Sequence, residues 1–212
     1  MALDQIPYTQ QQMRNKILRN IGHAFMLMGQ YDDAISSYEH VLESRPTKEL
    51  DGGERKVPGR DFPTAFNTLL CYFAIGDRDM MKRGFLTVLQ QELSSQPEDD
   101  RYQNFEADEH VKMVLEVVKH DVLSQSENAE KATAEKLILS AAKLISPAIE
   151  STFAAGYDWC TDQIRQSPYA WLAPELEITK AISYLKVKEF KSAIKTLKKF
   201  ERDDSRMQSA AA

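Results

Sequence analysis

NKILRNIGHAFMLMGQYDDAISSYEHVLESRPTK, residues 15–48, is the stretch from which the fold can be read. Leu18, Ile21, Gly22 and Phe25 recur at i, i+3, i+4 and i+7, the spacing that lines one face of an α-helix. Gly29-Gln30 interrupts the pattern; Tyr31, Ala34, Tyr38 and Val41 resume it until Pro46. Glycine closes the first helix because it enters the left-handed region cheaply. Proline closes the second because it lacks an amide hydrogen and its ring clashes with the preceding turn. Gly22 and Ala34 are small where two antiparallel helices must bring their backbones close. Phe25, Tyr31 and Tyr38 are large enough to fill the space around that crossing.

A large residue, an apolar-Gly pair, aromatics around a turn, Ala and a closing Pro, over about 34 residues, is the pattern of the tetratricopeptide repeat (TPR). Weaker copies follow. Phe66, Leu69, Tyr72 and Phe73 lead to the turn Gly76-Asp77, then Met81, Phe85 and Val88. Gly76 lies 47 residues after Gly29, 13 more than one period, and the charged, Gly- and Pro-rich stretch KELDGGERKVPGRD (48–61) takes up the excess as a mobile surface insertion. Ala181, Tyr184, the turn Lys188-Glu189-Phe190, Ala193, Leu197 and Phe200 form a third copy in frame. Ala2 and Pro7 occupy the places of a repeat's last Ala and Pro, so the chain is expected to begin inside a repeat, as an internal fragment. The whole chain therefore reads as one all-α, TPR-like α-solenoid of antiparallel helix pairs with irregular loop insertions. Its parts are a repeat tail (1–7), the clear repeat (15–48), a loop insertion (49–61), a degenerate repeat (62–93), a loop (94–109), irregular helices (110–168) and a last degenerate repeat (174–204).

Within 110–168 the frame blurs. Val111, Val114, Leu115, Val118 and Val122 keep a helical period, and Ser124 with Glu127 forms a capping-box pair that predicts the start of the next helix. Ser146-Pro147 has the form of a helix stop followed by an N-cap and first-turn proline, and Ser167-Pro168 repeats it. Which of the three helices so delimited pair with one another is not fixed by the sequence.

Composition limits the chemistry. The chain has 27 Lys+Arg against 32 Asp+Glu, a net charge of −5, which lacks the basic footprint of a nucleic-acid binder. No apolar run approaches the length of a membrane span, so direct membrane insertion is not expected. Cys71 and Cys160 stand far apart without a CxxC motif, and are expected as buried thiols of a reducing compartment. His23, His40, His110 and His120 form no metal-ligand pair, and no phosphate-cradling or nucleophile-elbow motif is present. The expectation is no catalytic residue, no metal and no cofactor. The acidic pairs Asp32-Asp33, Asp99-Asp100 and Asp203-Asp204 sit at turns or in loops, where capping and solvation account for them.

Four stretches carry a more specific likeness: RNIGHAFMLMGQYDDAISSYEH (19–40), CYFAIGDR (71–78), AEKLILSAAKLISPAIESTFAA (134–155) continuing into GYDWC, and LEITKAISYLKVKEFKSAIKTLKKFERDDSR (176–206). They resemble the Polaris family, the TPR subunit of the intraflagellar transport B complex. The third stretch is the most telling, because it is not generic repeat sequence. The insertion at 48–61 departs from the family pattern and implies a divergent member. The resemblance implies a non-enzymatic scaffold in a hetero-oligomeric complex, with other subunits of the intraflagellar transport B core as partners. It also implies a role in cilium assembly and a location at the cilium or flagellum and basal body, with a cytoplasmic pool.

Stacked pairs leave a face lined by the first helix of each repeat, and there Asn15, Lys16 and Arg19 are candidate partner contacts. Trp171, between Pro168 and Pro174, is either an exposed contact or a packed corner. Lys191, Lys195 and Lys198 share one side of the last helix, beside an apolar face of Phe190, Ala193, Ile194, Leu197 and Phe200. They suit an acidic partner segment, or else form a solvated back face. The alternative to the scaffold is a cytosolic TPR adaptor capturing a short C-terminal peptide of a chaperone or other partner. Asn15, Lys16, Arg19 and Asn67 imitate part of the two-carboxylate clamp that such a role needs.

Overall fold

A computed structural model describes residues 11–43, 47–50, 53–56, 61–91, 93 and 122–198. The readings that fall on Ala2, Pro7, Pro46, the valine-rich stretch 111–118, His110, His120, Phe200 and the terminal acidic pair lie outside these residues. Eight α-helices are found among the described residues, arranged as four successive pairs. These are α1 (Gln11–Leu27) with α2 (Tyr31–Glu43), α3 (Phe62–Ile75) with α4 (Arg78–Leu89), α5 (Val122–Ile149) with α6 (Phe153–Arg165), and α7 (Ala173–Lys186) with α8 (190–198). The fold is the all-α solenoid that the repeat pattern predicts.

The turns explain the pairing. Gly29 and Gly76 hold φ of 75° and 84°, the left-handed conformation that ends α1 and α3. In the first turn the Gln30 amide donates to the Phe25 carbonyl (2.9 Å) and the Gly29 amide to that of Met26 (3.1 Å). The fourth pair repeats this: Glu189 N–H to the Tyr184 carbonyl (2.9 Å) and Lys188 N–H to that of Leu185 (3.0 Å), with Lys188 at φ 63°. These bonds satisfy carbonyls that the helix end would leave orphaned. Asp61 caps α3 by accepting from the Thr64 amide, and Asp77 caps α4 by accepting from those of Asp79 and Met80.

Each crossing is built on a close approach. A Cβ on Gly22 would lie 2.5 Å from the Tyr38 ring, so the tyrosine occupies the space that the glycine leaves. In the second pair the sizes are exchanged: Gly84 on the second helix receives Tyr72 and Leu69 from the first, its virtual Cβ 2.9 and 3.1 Å from them. The third pair is tighter, with the Cβ position of Gly156 only 1.8 Å from the Ser146 carbonyl oxygen. Between pairs, one continuous core runs from Ala34 and Tyr38 through Leu69, Phe85, Ile138, Ile145 and Ile164 to Leu176. Burial of these side chains, at roughly 1.5–3 kcal/mol each, is what joins the pairs, because no single pair can cover its own apolar faces.

Three local expectations change. The insertion read as a loop carries an antiparallel hairpin, Thr47–Leu50 with Gly53–Lys56, in register Thr47 to Lys56 and Leu50 to Gly53. Asp51-Gly52, between the strands in sequence, is a dipeptide that two-residue hairpins favour. Ser124 does not start a helix, because α5 is already formed at Val122. Pro147 does not stop one: it lies inside α5, two residues before the helix ends, where its missing amide costs a single bond. Ser146 is buried there, and its hydroxyl donates back to the Ala142 carbonyl (2.6 Å) instead of capping a new helix. The real break is at 150–152, where the Thr152 hydroxyl caps α6 by accepting from the Ala155 amide (3.2 Å).

Candidate protein-binding surface

The three junctions between pairs are apolar inside and ionic at the rim. Arg19 of α1 lies 3.5 Å from Asp61 at the start of α3, and Lys82 of α4 lies 2.5 Å from Glu150 after α5. At the last junction Lys143 meets Glu175 (3.0 Å), Lys180 meets Asp158 (2.6 Å), and Arg165 pairs with Glu177. A buried polar node also locks the middle. The Gln91 side chain accepts from the Asp61 amide (3.3 Å) and donates to the Thr87 carbonyl (2.8 Å), while the Tyr169 hydroxyl donates to the Gln91 carbonyl. Rim ion pairs of this kind add little stability individually, but they fix which neighbour fits.

The residues singled out in the sequence scatter over this framework. Lys16 is exposed on α1, whereas Arg19 is turned to Asp61 and serves the first junction. Asn67 lies 2.9 Å from Nε2 of His23, whose ring meets Tyr38 edge-on. Two polar positions of the imagined carboxylate clamp are thus engaged within the chain. Trp171 is packed at a corner and still open to solvent. It is 43% exposed, yet Nε1 donates to Glu135 (3.0 Å), the ring meets Tyr169 edge-on, and the Lys131 ammonium sits 5.5 Å from its centroid.

Lys191, Lys195 and Lys198 are exposed on α8. The apolar residues beside them are not packed away as an inner face would be. Ala193 is buried, but Phe190 is 59% and Ile194 53% exposed, with Leu197 exposed beside them. The outward side of the fourth pair is therefore an apolar patch edged by lysines. Repeat periodicity places Phe190 and Leu197 at core positions, yet both are exposed.

Acid–base or nucleophilic machinery would need a group with its proton affinity tuned toward neutrality. The resolved shifts go the other way. Burial pushes the Cys71 thiol up to about 11 and, against the lowering influence of the Ser146 hydrogen bond and Lys82, the Cys160 thiol up to about 12. Burial, helped by Cys71, raises Tyr38 to about 12, and burial with the hydrogen bond to Glu39 raises Tyr72. Among the described residues no three His, Cys, Asp or Glu side chains gather as a metal site requires, and no helix is long and apolar enough to cross a membrane.

Comparison with known proteins agrees with the geometry. Residues 16–48 match the tetratricopeptide repeat family. Over its full length the chain is 44% identical to the human protein named intraflagellar transport protein 88 homolog. The resemblance to the intraflagellar transport TPR subunit is real. It takes in the irregular middle as well as the repeats. The chain spans 24% of the length of that relative. No solved structure matches the chain.

Proposed function

We propose that this chain is a non-enzymatic scaffold segment of the intraflagellar transport B core, holding other core subunits in a hetero-oligomeric complex needed for cilium assembly. The observation that carries the reading is similarity to an intraflagellar transport protein along the entire chain, irregular middle included. Supporting it is an architecture that offers surface rather than chemistry: stacked pairs, ionic junction rims, an open apolar patch edged by lysines, and thiols and phenols buried in their protonated forms. A subunit of this kind resides at the cilium or flagellum and basal body, with a cytoplasmic pool awaiting assembly. Its contacts are drawn from Asn15, Lys16, Arg19, Trp171, Lys191, Lys195 and Lys198, of which Lys16 and the three α8 lysines are the most accessible.

The test is co-expression with the other complex B core subunits, followed by size-exclusion chromatography with light scattering. Stoichiometric co-elution that survives high salt is expected, because a permanent interface buries apolar area that salt does not screen. A folded chain that elutes alone beside an assembled core lacking it would refute the assignment for this segment.

A further inference from the structure

The fourth pair is attached differently from the others. Pairs one to three each contribute large, fully buried side chains, among them Tyr38, Leu69, Phe85, Ile138, Ile145 and Ile164. In the fourth pair that continuity stops at the first turn of α7. Leu172, Ala173 and Leu176 are buried, and Leu176 is the last member of the continuous core. Beyond it, the buried apolar residues among those described are two alanines, Ala181 and Ala193, and neither belongs to that core. Ile182 and Leu185 of α7 are exposed, as are Phe190, Ile194 and Leu197 of α8. An alanine carries little apolar area, so burial holds the start of the pair firmly and the rest of it weakly.

The start is also pinned from outside. Tyr169, in the link before α7, is buried; its hydroxyl donates to the Gln91 carbonyl, and its ring meets Phe62 edge-on at 6.0 Å. The link therefore rests on the second pair as well as the third. Past Leu176, what holds α7 to α6 is polar and aromatic. The Lys180 ammonium donates to Asp158 (2.6 Å) and lies 6.0 Å from the centre of the Tyr184 ring. The Ser183 hydroxyl donates to that of Tyr157 (3.3 Å), and Tyr184 meets Phe153 edge-on at 5.0 Å. The pairs of Glu177 with Arg165 and Glu175 with Lys143 lie close to the pinned turn. Hydrogen bonds are directional and fail within about an ångström of displacement, whereas apolar burial has no preferred direction. This stretch is therefore either held or released.

We propose that the α6–α7 junction is a hinge. The fourth pair pivots as a unit about the pinned first turn of α7, and the Lys180–Asp158 ion pair, with the Ser183 and Tyr184 contacts, is its latch. Release leaves the core of the first three pairs intact, because no member of that core lies beyond Leu176. It uncovers Tyr157 and Phe153 on α6 and turns α8 to a new angle against the rest of the array. Hinges of this kind sit at the end of an element and move without loss of secondary structure. Since the rotation from pair to pair sets the curvature of a solenoid, one released latch changes the course of everything beyond it. The inference goes beyond the scaffold reading and does not depend on which complex the chain joins.

The test is the distance between spin labels on Ala155→Cys of α6 and Lys195→Cys of α8, both exposed sites, measured by pulsed electron resonance on the full chain. Native Cys71 and Cys160 are buried and stay unlabelled. One main distance with a minor second is expected. Asp158→Asn should raise the ratio of the second to the first about fivefold, the effect of losing one partly solvated ion pair. Asp158→Glu, which keeps the pair, and Glu43→Gln, an exposed carboxylate on α2, should leave the ratio unchanged. Concentrated salt should move the unsubstituted chain the same way and Asp158→Asn much less. Circular dichroism and urea midpoints establish that each variant is folded. A single distance that Asp158→Asn does not alter, or an equal response to Glu43→Gln, would overturn the proposal. So would a second distance that appears only with loss of helicity, which is fraying of α8 and not a pivot. Co-elution with core subunits bears on the assembly assignment alone, so either reading can fail without the other.

Discussion

Lys188 holds φ 63° where the other two left-handed turns have glycine. Its Cβ crowds the following carbonyl, at about 1–2 kcal/mol for an L-residue in that region. After allowing for the extra freedom of glycine in the unfolded chain, Lys188→Gly is expected to gain about 0.5–1 kcal/mol, seen as a higher urea midpoint at unchanged slope. Gly156→Ala should do the opposite, because its new methyl group would meet the Ser146 carbonyl at 1.8 Å. A backbone atom cannot swing aside as a side chain can, so a loss of about 3 kcal/mol is expected, and a loss under half of that would mean that α6 slides freely over α5. Tyr38 is fully buried and its hydroxyl has no hydrogen-bond partner among the described residues. Tyr38→Phe is therefore expected to be neutral or stabilising by up to about 1 kcal/mol; a clear loss of stability would reveal a bond to that oxygen. The raised thiols and phenols make alkali destabilising. Their folded-state values lie above the ordinary 9.0 and 10.0, so their contribution is complete below pH 9 and is lost as pH rises toward 11 and 12. A denaturation midpoint that falls steeply above pH 9, with both cysteines inert to alkylating reagents until then, is the expected result.

Among the elements, α1 to α4 are legible in the sequence because each boundary is written in a residue with one job: Gly29 and Gly76 for left-handed turns, Asp61 and Asp77 for caps. The α5–α6 boundary is not. Ser146-Pro147 has the composition of a stop, yet its serine bonds backward to Ala142 and the helix runs on to Ile149, because burial of Ile145 and Ile149 holds the last turn in place. Local chemistry proposes such a boundary; tertiary packing decides it. Lys188 is the complementary case, a turn that composition hides and only the repeat register finds. The surface was less legible than the core. Phe66 packs against the core as its repeat position suggests, whereas Arg19 looks like a free contact until the neighbouring pair brings Asp61 to it. The link between α4 and the segment leading into α7 rests on Tyr169, whose ring is buried and whose hydroxyl bonds the Gln91 carbonyl. Tyr169→Phe is expected to cost about 1–2 kcal/mol, measured by chemical denaturation.

For the whole molecule, stacking in one dimension means that each pair covers the apolar face of the next. On the fourth pair, Phe190, Ile194 and Leu197 are exposed. Concentration-dependent association is therefore expected in light scattering. Phe190→Glu together with Ile194→Lys should reduce it while leaving the unfolding free energy within about 0.5 kcal/mol, as for surface substitutions. A monomer at high concentration without those changes would show that the lysines alone keep the face apart.

The exchanged sizes at the first two crossings limit how the array can be recombined. Gly22 receives Tyr38, whereas Gly84 receives Leu69 and Tyr72, so the glycine is on the first helix of one pair and on the second helix of the next. In the shared register Phe85 stands where Tyr38 does and Gly84 where Ser37 does. A chimera joining α1 to α4 would therefore set Gly22 against Phe85 and leave Gly84 without Leu69 and Tyr72 to fill its space. Joining α3 to α2 would set Leu69, in the place of Gly22, against Tyr38, with no room for both. Although the two repeats share a register, their halves are not interchangeable parts.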